Sequence, residues 1–277
     1  MLVGSLAAMV IAANGTAAAA ARLPAADRSV VDTAVRQAMQ SERLPGVMIK
    51  ITGPRGSYQK TYGLANTASR APMTLGLRVR IASITKTFTA TAVLQQVQRG
   101  RLSLSDKLDR WVKGIRNGRR ITVRELLAMR SGIYDYTSAP AFNRAFDANP
   151  LMRFKPTDII PIIRRHKPLF APGARTQYAD SNYVLLGIIL QKVTGQSAES
   201  VITRDVIRRA GLRHTSFPTS AAMPRPYAHG YYAGPDGKGR LRDYTRVNPK
   251  VAWTAGGMVS TLGDLEKWGG RLRPGRC

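Results

Sequence analysis

The 277-residue sequence predicts an α+β protein, with an antiparallel sheet flanked by helices and a separate helical lobe. Three observations lead to this fold class. Two strand-like segments joined by a tight turn lie at 47–65, helical patterns dominate from about residue 87 to 225, and Gly-, Tyr- and Pro-rich loops fill 226–260. Strands that precede a block of helices are typical of α+β folds, whereas α/β folds alternate the two.

The first 21 residues have the composition of an export signal. They carry no charge, are rich in Ala, and end in the small residues expected before an Ala-x-Ala cleavage site. The pair Asn14-Gly15 interrupts the segment, so a stable membrane span is not expected. We therefore predict a signal-peptide-like leader at 1–21 and a secreted domain at 22–277. The only cysteine is the last residue, Cys277, which leaves no internal disulfide.

The domain at 22–277 is predicted to begin with a helix. Ser29, with Asp32 three residues later, has the spacing of a capping box. Apolar residues then recur at helical spacing: Val31, Val35 and Met39. The pair Pro45-Gly46 ends this pattern.

A β-hairpin is predicted directly after the first helix. Residues 47–51 (VMIKI) are rich in β-branched and apolar side chains, 53–56 (GPRG) form a turn, and 57–65 return as the second strand. A hairpin alone is only marginally stable in water. It therefore needs further strands or a covering helix.

Helices dominate the rest of the predicted structure. The pattern is helical across 83–100. Thr122 with Glu125 has the spacing of a capping box for a later helix, and Thr261 with Asp264 caps a final short one. Glycines mark the ends of three predicted helices: Gly132, Gly195 and Gly269.

The tetrad Ser-x-x-Lys occurs twice, and local structure separates the two copies. Ser57 and Lys60 lie on a predicted strand, where side chains three apart point to opposite faces. Ser83 and Lys86 lie at a predicted helix start, where side chains three apart are neighbours, and where unpaired N–H groups favour negative charge on the serine oxygen. Ser83 and Lys86 are therefore a candidate nucleophile and base. The alternative is a helix-capping serine beside a solvated lysine.

Four longer segments extend the second tetrad into a family resemblance. They are RVRIASITKTFTATAVLQQVQRGRLSLSDKL (78–108), ITVRELLAMRSGIYDY (121–136), APGARTQYADSNYVLLGIILQKVTG (171–195) and AGGMVSTLGDLEKW (255–268). In this order they resemble the serine β-lactamase and penicillin-binding superfamily, specifically its class C β-lactamase and D-alanyl-D-alanine carboxypeptidase branch. The resemblance implies a β-lactamase/transpeptidase-like fold.

The resemblance also implies a role for each motif residue. Ser83 is the nucleophile that forms an acyl-enzyme, and Lys86 is a candidate base. Tyr178 matches the tyrosine of the family's Tyr-x-Asn motif, which implies a second general acid/base, expected here as a buried phenol near Lys86. Asp180 stands where the family has Asn and is expected to belong to the substrate-binding region. A carboxylate there would keep Lys86 charged and leave Tyr178 as the base, so the identity of the base stays open.

The family's third motif, Lys or His followed by a variable residue and Gly, is not found after Tyr178. The strand that carries it supplies half of the family's oxyanion hole, and the Ser83 N–H supplies the other half. One lost donor costs roughly 3–4 kcal/mol of transition-state stabilisation. His229 is interpreted instead as a surface-loop histidine. We therefore expect a C-terminally truncated family member with an incomplete sheet and an exposed apolar edge on the hairpin.

The formal charge of +27, from 43 basic and 16 acidic residues, limits the partners that the sequence predicts. The arginines are spread along the chain without a long basic run interleaved with aromatics, so no specific nucleic-acid site is expected. Weak contact with anionic cell-wall polymers is a secondary hypothesis. Three scattered histidines and one terminal cysteine give no metal-ligand spacing, and no cofactor is expected.

The resemblance implies acyl transfer from a small molecule or a peptidoglycan peptide. A D-alanyl-D-alanine carboxypeptidase-like activity is our first interpretation, followed by an esterase or a β-lactamase. A non-catalytic family member that only binds ligand is the alternative. The sequence has no Gly-x-Ser-x-Gly motif, which argues against a Ser-His-Asp hydrolase.

Overall fold

The computed structural model describes residues 10–12, 21–234, 237 and 239–272. A four-stranded sheet occupies the N-terminal part of the chain, and its strand order follows the sequence. The second and third strands form an antiparallel hairpin, and the first strand pairs parallel to the second. The predicted hairpin is therefore confirmed. The strands are β1 (Val10–Ala12), β2 (Gly46–Gly53), β3 (Gly56–Asn66) and β4 (Ala71–Pro72).

The expected open edge of β2 is occupied along part of its length. Val10–Ala12, which fall inside the predicted leader, pair with residues 50–52 of β2. An open strand edge attracts any segment that completes its hydrogen bonds, so the expectation of an exposed edge is wrong at these residues. Residues 1–9 and 13–20 of the predicted leader lie outside the described residues, and the signal peptide stays a prediction.

The first helix, α1 (Ala25–Ser41), begins four residues before the predicted capping box. The predicted capping serine therefore lies inside the helix, and Asp32 does not cap it. Instead, the Asp32 carboxylate accepts hydrogen bonds from Lys60 Nζ at 2.5 Å and from the hydroxyls of Tyr58 and Tyr62. No residue of α1 is fully buried, so this polar cluster is a principal attachment of the helix to β3.

The helical lobe is built around one central helix. The helices after α1 are α2 (Thr85–Gln98), α3 (Leu108–Trp111), α4 (Val123–Leu127), α5 (Pro140–Ala148), α6 (Ile159–Arg165), α7 (Asp180–Thr194), α8 (Ala198–Ile202), α9 (Trp253–Gly256) and α10 (Leu262–Arg271). Ten consecutive residues of α7 are buried, 181–190, so protein surrounds this helix on all sides. Gly187 lets α9 pack closely against it, because a Cβ there would lie 2.3 Å from Thr254 Oγ1.

Several predicted helix boundaries are confirmed by their caps. Thr122 and Glu125 form the capping box of α4, in which each side chain bonds the other residue's backbone N–H. Thr261 Oγ1 accepts the Asp264 N–H at the start of α10. Gly195 ends α7 at a φ of 67°, a left-handed conformation that glycine adopts without a steric penalty.

Two short strand pairs connect distant parts of the chain. β5 (Val79–Arg80), which comes directly before the Ser83 tetrad, pairs with β8 (Val259–Ser260). β6 (Tyr231–Tyr232) pairs with β7 (Arg242–Asp243) in a second small ribbon. The late loops that the structure describes therefore contain only short strands, as predicted, and β5 fixes the start of α2 against β8.

One apolar core joins the sheet to the lobe. It runs from Met48 on β2 to Trp268 on α10, and Phe88 of α2 stacks on Trp268 with ring centres 4.2 Å apart. Because Phe88 lies on α2, the packing around this helix determines where the second tetrad lies.

Among the described residues, no helix has both the length and the apolar character needed to cross a bilayer.

Candidate active site

The serine of the second tetrad lies next to a strained residue. Ala82–Ile84 form a single 3₁₀ turn that leads directly into α2, and Ser83 is exposed. Ala82 has a φ of 43°, a left-handed conformation that costs a non-glycine residue about 1–3 kcal/mol. Strain of this kind persists only where surrounding packing enforces it, and it is frequent beside reactive groups.

Ser83, Lys86 and Tyr178 meet at one point, although 95 residues separate the first from the last. Tyr178 OH lies 2.6 Å from Ser83 Oγ, and Lys86 Nζ donates to the same oxygen at 3.0 Å. Both distances are within hydrogen-bonding range. The serine hydroxyl thus has a phenol and a primary amine within reach.

Lys86 is buried, and all its donors have acceptors. Besides Ser83 Oγ, Nζ donates to Asp180 Oδ1 at 2.6 Å and to the Ala255 carbonyl at 2.7 Å. An ammonium group has three N–H donors and no lone pair, so these three acceptors match its charged form. A charged Lys86 stabilises negative charge on Ser83 and has no free site for the serine proton.

Tyr178 reaches Ser83 from the surface rather than from the core. The residue is 53% exposed, so the expectation of a buried phenol is wrong. It lies in the loop just before α7, where the chain is extended, and only its hydroxyl points inward to Ser83 and Asp180. The Lys86 ammonium lies 4.8 Å from the ring centre of Tyr178, within the range of a cation–π contact.

Asp180, the first residue of α7, accepts hydrogen bonds from Lys86 and Tyr178 on the same oxygen, Oδ1. Its backbone N–H donates to Asp135 Oδ1 at 3.2 Å. Asp135, which the sequence analysis does not identify, therefore caps α7 from a neighbouring loop and positions Asp180. Burial and the nearby charge of Asp180 raise the pKa of Asp135. The sequence signal for this residue is the acidic position in GIYDY, directly after the Ser-Gly loop.

A cavity of about 200 Å³ borders Ser83 and Asp180. Arg80 of β5 also lines it, and its guanidinium donates to the backbone carbonyls of Thr245 and Ala221. Burial lowers the pKa of Arg80 to about 10, which leaves it charged at neutral pH. Most of the wall is apolar, and it includes Phe146, Tyr232, Tyr244, Val247 and Val251.

The first tetrad, Ser57 and Lys60, does not form a cluster like the one around Ser83. Ser57 and Lys60 lie on β3, and the Lys60 ammonium bonds Asp32 Oδ2 rather than the serine. The serine and lysine side chains are thus separated, as predicted for residues three apart on a strand. The first tetrad is therefore part of the attachment of α1 and not a second site.

His229 is part of a polar link rather than a free surface histidine, which corrects its interpretation from sequence. Its Nδ1 lies 2.6 Å from Asp243 Oδ2, and its Nε2 lies 2.9 Å from Asn66 Nδ2. The link joins β7 to β3. Within the described ranges, no group of three or more His, Cys, Asp or Glu side chains could hold a metal ion.

The α+β architecture and the cluster at Ser83 define the β-lactamase/transpeptidase-like class of serine hydrolases. The family model described as Beta-lactamase matches residues 31–276. The chain therefore belongs to the Beta-lactamase family, and both the predicted superfamily and the predicted fold class are confirmed.

Solved structures of amide-cleaving and penicillin-binding proteins share this fold. The D-stereospecific amidohydrolase from Streptomyces sp. gives a TM-score of 0.75 at 33% identity, over 87% of this chain and 72% of its own. The octameric penicillin-binding protein homologue from Pyrococcus abyssi gives 0.74 at 29% identity, over 88% and 56%. The D-amino acid amidase from Ochrobactrum anthropi SV3 gives 0.73 at 27% identity, over 89% and 71%.

Curated relatives are longer than this chain. Protein flp from Staphylococcus aureus strain MW2 is 30% identical over 260 residues, which cover 89% of this chain and 49% of the relative. A β-lactamase from Pseudomonas fluorescens is 28% identical over 74% of this chain and 54% of its own length. The chain thus spans about half the length of the curated relatives it matches, and its C-terminal truncation stays a prediction.

Proposed function

We propose that this protein is a serine hydrolase that forms an acyl-enzyme on Ser83 and cleaves D-alanyl peptides in the manner of a D-alanyl-D-alanine carboxypeptidase. The observation that carries the proposal is the convergence of Lys86 and Tyr178 on the Ser83 oxygen. A helix-capping serine with a solvated lysine would lack both contacts. Two solved relatives, a D-stereospecific amidohydrolase and a D-amino acid amidase, support D-configured amide substrates.

One arrangement of the hydrogen bonds in the cluster makes Tyr178 the base. Tyr178 OH lies 3.2 Å from the acceptor Asp180 Oδ1 and 2.6 Å from Ser83 Oγ, where either hydroxyl can donate. When Tyr178 donates to Asp180, its oxygen is free to accept the Ser83 proton. As Ser83 Oγ attacks the substrate carbonyl carbon, its proton passes to the phenol oxygen, and the phenol proton shifts toward Asp180. Tyr178 then gives a proton to the leaving amine while the proton on Asp180 returns to the phenol, the C–N bond breaks, and the acyl group stays on Ser83.

Lys86 contributes charge rather than proton transfer in this mechanism. Its ammonium group stabilises the negative charge that develops on Ser83 Oγ during attack. Deacylation repeats the sequence with water, whose proton passes to Tyr178 while its oxygen attacks the ester carbonyl. Ser83 recovers its proton as the acid product leaves.

Covalent labelling tests the nucleophile directly. A fluorescent penicillin or fluorophosphonate should attach to Ser83, and mass spectrometry of the labelled peptide identifies the modified residue. Ser57→Ala is the matched control and should label like the wild type, whereas Ser83→Ala should not label. Labelling that persists in Ser83→Ala contradicts the proposal. Reversible penicillin binding without any adduct would instead favour a protein that only binds ligand.

Turnover of a substrate panel tests the carboxypeptidase assignment. Release of D-alanine from a D-Ala-D-Ala peptide supports it. Hydrolysis confined to a chromogenic cephalosporin would replace it with β-lactamase activity, and hydrolysis confined to p-nitrophenyl esters would replace it with esterase activity. Each outcome leaves the Ser83 acyl-enzyme in place, so the two parts of the proposal are tested separately.

The proposal includes a location outside the cytoplasm and weak attraction to anionic wall polymers. The uncharged leader supports export, and the net charge of +27 supports the attraction. Retention on an anionic matrix should fall steeply as salt rises, because bound counterions are released on binding. Retention that does not change with salt would contradict the attraction.

A further inference from the structure

We propose that the segment 107–120, which contains α3 and which we name the basic loop, is a docking surface for a phosphate-bearing polymer of the cell wall. This inference rests on the proposed function, because it gives a location to the proposed attraction to anionic wall polymers. The net charge alone predicts attraction over the whole surface. The basic loop predicts a contact area with defined residues.

The basic loop has a strong excess of positive charge over a short length. Every third residue from 107 to 119 is basic, and so is residue 120. The basic residues are Lys107, Arg110, Lys113, Arg116, Arg119 and Arg120. The only acidic residue of the loop is Asp109.

Two basic residues from other helices join the loop. Arg164 of α6 lies over Gly114, and its Nη2 donates to the Lys113 carbonyl at 2.7 Å. Lys192, near the end of α7, donates its Nζ to the Trp111 carbonyl. Both bonds go to neutral carbonyl groups, so they leave the two positive charges uncompensated. The structure therefore concentrates charge that the sequence distributes over three segments.

Two carboxylates neutralise part of this charge. Asp106 Oδ1 lies 2.9 Å from Arg110 Nη1. Asp109 Oδ2 lies 3.2 Å from Lys113 Nζ and 4.0 Å from Arg119 Nε. The side chains of the three paired cations are nevertheless 62%, 75% and 92% exposed. Exposed ion pairs are weak, so these cations can exchange their partners for a phosphate.

Arg116 and Arg120 remain available without breaking any ion pair. Both residues are exposed, and no described residue places a carboxylate within ion-pair distance of either. Arg120 also lines a surface depression with Lys113 and Arg119. A guanidinium group matches the geometry of a phosphate through two parallel hydrogen bonds. The loop therefore presents several phosphate ligands side by side.

The backbone of the basic loop is fixed by hydrogen bonds and by buried side chains. The Leu108 N–H donates to the Ile121 carbonyl at 2.8 Å. The Asp109 N–H donates to the Gly118 carbonyl at 3.0 Å. Leu108, Ile115 and Ile121 are buried. Because the backbone is already ordered, binding a polymer costs little further ordering of the protein.

The chemistry of the loop favours a wall polymer over a nucleic acid. Trp111 is the only aromatic residue between 107 and 120. Its indole nitrogen is buried, and the Arg110 guanidinium lies 4.9 Å from its ring centre. Single-stranded nucleic acids are bound largely by bases that stack on free aromatic faces. The loop offers charge rather than a stacking platform, and the proposed location outside the cytoplasm makes a wall polymer the expected polyanion.

The basic loop and the Ser83 cluster lie at opposite ends of α7. Asp180 is the first residue of this helix, and Lys192 lies near its end. At 1.5 Å per residue, the two positions are about 18 Å apart along the helix axis. A polymer docked on the loop therefore leaves Ser83 accessible. Substrate peptides carried by the same wall would be held near the site at a raised effective concentration.

The test compares two triple variants that remove the same charge. The loop variant neutralises three exposed arginines of the basic loop: Arg116→Gln, Arg119→Gln and Arg120→Gln. The sheet variant neutralises three exposed arginines from the N-terminal part of the chain: Arg22→Gln, Arg36→Gln and Arg70→Gln. Circular dichroism verifies that both variants are folded. Binding to immobilised poly(glycerol phosphate) is then measured as a function of salt concentration.

The loop variant should bind the polymer more weakly and with less dependence on salt. The slope of log affinity against log salt concentration should become shallower by about 2, because each lost phosphate contact removes about 0.7 from it. The sheet variant should keep nearly the wild-type slope. Equal losses in the two variants would assign the attraction to net charge and overturn the inference. Asp109→Asn removes the only carboxylate of the loop and should strengthen binding, so weaker binding by this variant would contradict the inference too.

Two further polyanions test the assigned partner. A loop variant that loses affinity for duplex DNA but keeps its affinity for poly(glycerol phosphate) would assign the loop to nucleic acid and overturn the inference. A larger loss for polyglutamate than for poly(glycerol phosphate) would assign it to carboxylate polymers and contradict the choice of phosphate.

The controls separate this inference from the proposed function. Wild-type binding that does not change with salt would contradict the attraction to wall polymers itself. Labelling of Ser83 by a fluorescent penicillin in the same wild-type preparation reports the acyl-enzyme independently. Intact labelling together with equal polymer binding by the loop variant and the wild type would therefore count against the basic loop alone.

Discussion

The Ser-x-x-Lys motif occurs twice in the molecule. We name the two copies the strand tetrad (Ser57–Lys60) and the helix tetrad (Ser83–Lys86). The strand tetrad lies on β3, and the helix tetrad leads into α2. In both, the lysine forms an ion pair with an aspartate from a distant part of the chain. In both, that aspartate also accepts a tyrosine hydroxyl. The two therefore share their residue types and differ in geometry.

The two tetrads differ in the burial of their lysine side chains and in the directions in which the serine and lysine side chains point. The ion pairs have nearly equal lengths, 2.5 Å at Lys60 and 2.6 Å at Lys86, but the side chains are 39% and 8% exposed. Only at the helix start do the serine and the lysine lie on one face, so only Lys86 reaches its serine. An ion pair beside tyrosines therefore does not identify a catalytic site. The site requires a backbone that turns the serine oxygen toward both partners.

The largest expected difference between the tetrads lies in the serines. Ser83→Ala should reduce kcat/KM by roughly 10⁴-fold or more, because no nucleophile remains to form the acyl-enzyme. Ser57→Ala should leave kcat/KM within about twofold of the wild type, since surface changes away from a site have small effects. Steady-state kinetics with the substrate identified in the panel measures both. A comparable loss in the two variants would mean that the strand tetrad contributes to catalysis.

The lysines should differ in both activity and stability. Lys86→Met should lower kcat by roughly 10²–10⁴-fold and unfold the protein more easily by about 3 kcal/mol, because Asp180 would keep a partly buried charge without its main partner. Lys60→Met should leave kcat unchanged. Urea unfolding monitored by tryptophan fluorescence provides the stability comparison. Wild-type kcat in a folded Lys86→Met variant would show that the ammonium group has no catalytic role.

A smaller effect is expected from the aspartate of the helix tetrad. Asp180→Asn should lower kcat about tenfold and alter the pH–rate profile, because the amide that replaces the carboxylate cannot take the proton that Tyr178 passes on. The pH–rate profile of the wild type against Asp180→Asn gives the comparison. An unchanged profile would exclude Asp180 from proton transfer and leave it a purely structural partner of Lys86.

The smallest effect is expected at the aspartate of the strand tetrad, and it concerns stability alone. Hydrogen bonds from Lys60, Tyr58 and Tyr62 lower the pKa of Asp32 from its ordinary value of 3.8. Because the folded-state pKa lies below the unfolded value, Asp32 stabilises the fold above about pH 4, and this contribution is lost as the pH falls below that value.

Asp32→Asn should therefore lower the Tm at pH 7 by about 2–4 °C, and the variant and the wild type should converge at low pH. Asp109→Asn, which removes the partly buried i,i+4 partner of the exposed Lys113, is the matched control and should shift the Tm less. Thermal melts followed by circular dichroism across this pH range are sufficient. A difference between wild type and Asp32→Asn that persists at low pH would assign the effect to packing rather than charge.

Local features of the fold could be predicted from the sequence. The hairpin at 47–65, the capping box at Thr122 and the left-handed glycine at 195 depend on residues within a few positions of one another. Their rules involve only nearby backbone groups. The contact between Ser83 and Lys86 could be predicted in the same way, because the two residues lie one helical turn apart.

Features that depend on distant pairing could not be predicted. α1 begins before the predicted capping box, because Asp32 bonds side chains on β3 instead of capping its own helix. The pairing of β1 with β2 joins segments about 40 residues apart. Phe146 packs against Tyr232 and Tyr244, and no local pattern in the sequence indicates that contact. The role of Asp135 cannot be predicted for the same reason, since its importance comes from its contact with Asp180.

The Lys86 nitrogen joins three segments of the protein, since its acceptors come from the turn before α2, from α7 and from α9. Acetylation or carbamylation of this amine requires access for the reagent, and Lys86 is only 7% exposed. Of the 11 lysines in the chain, Lys86 should thus be among the last to react with an amine-directed reagent. Once modified, it would lose its charge and loosen all three segments together.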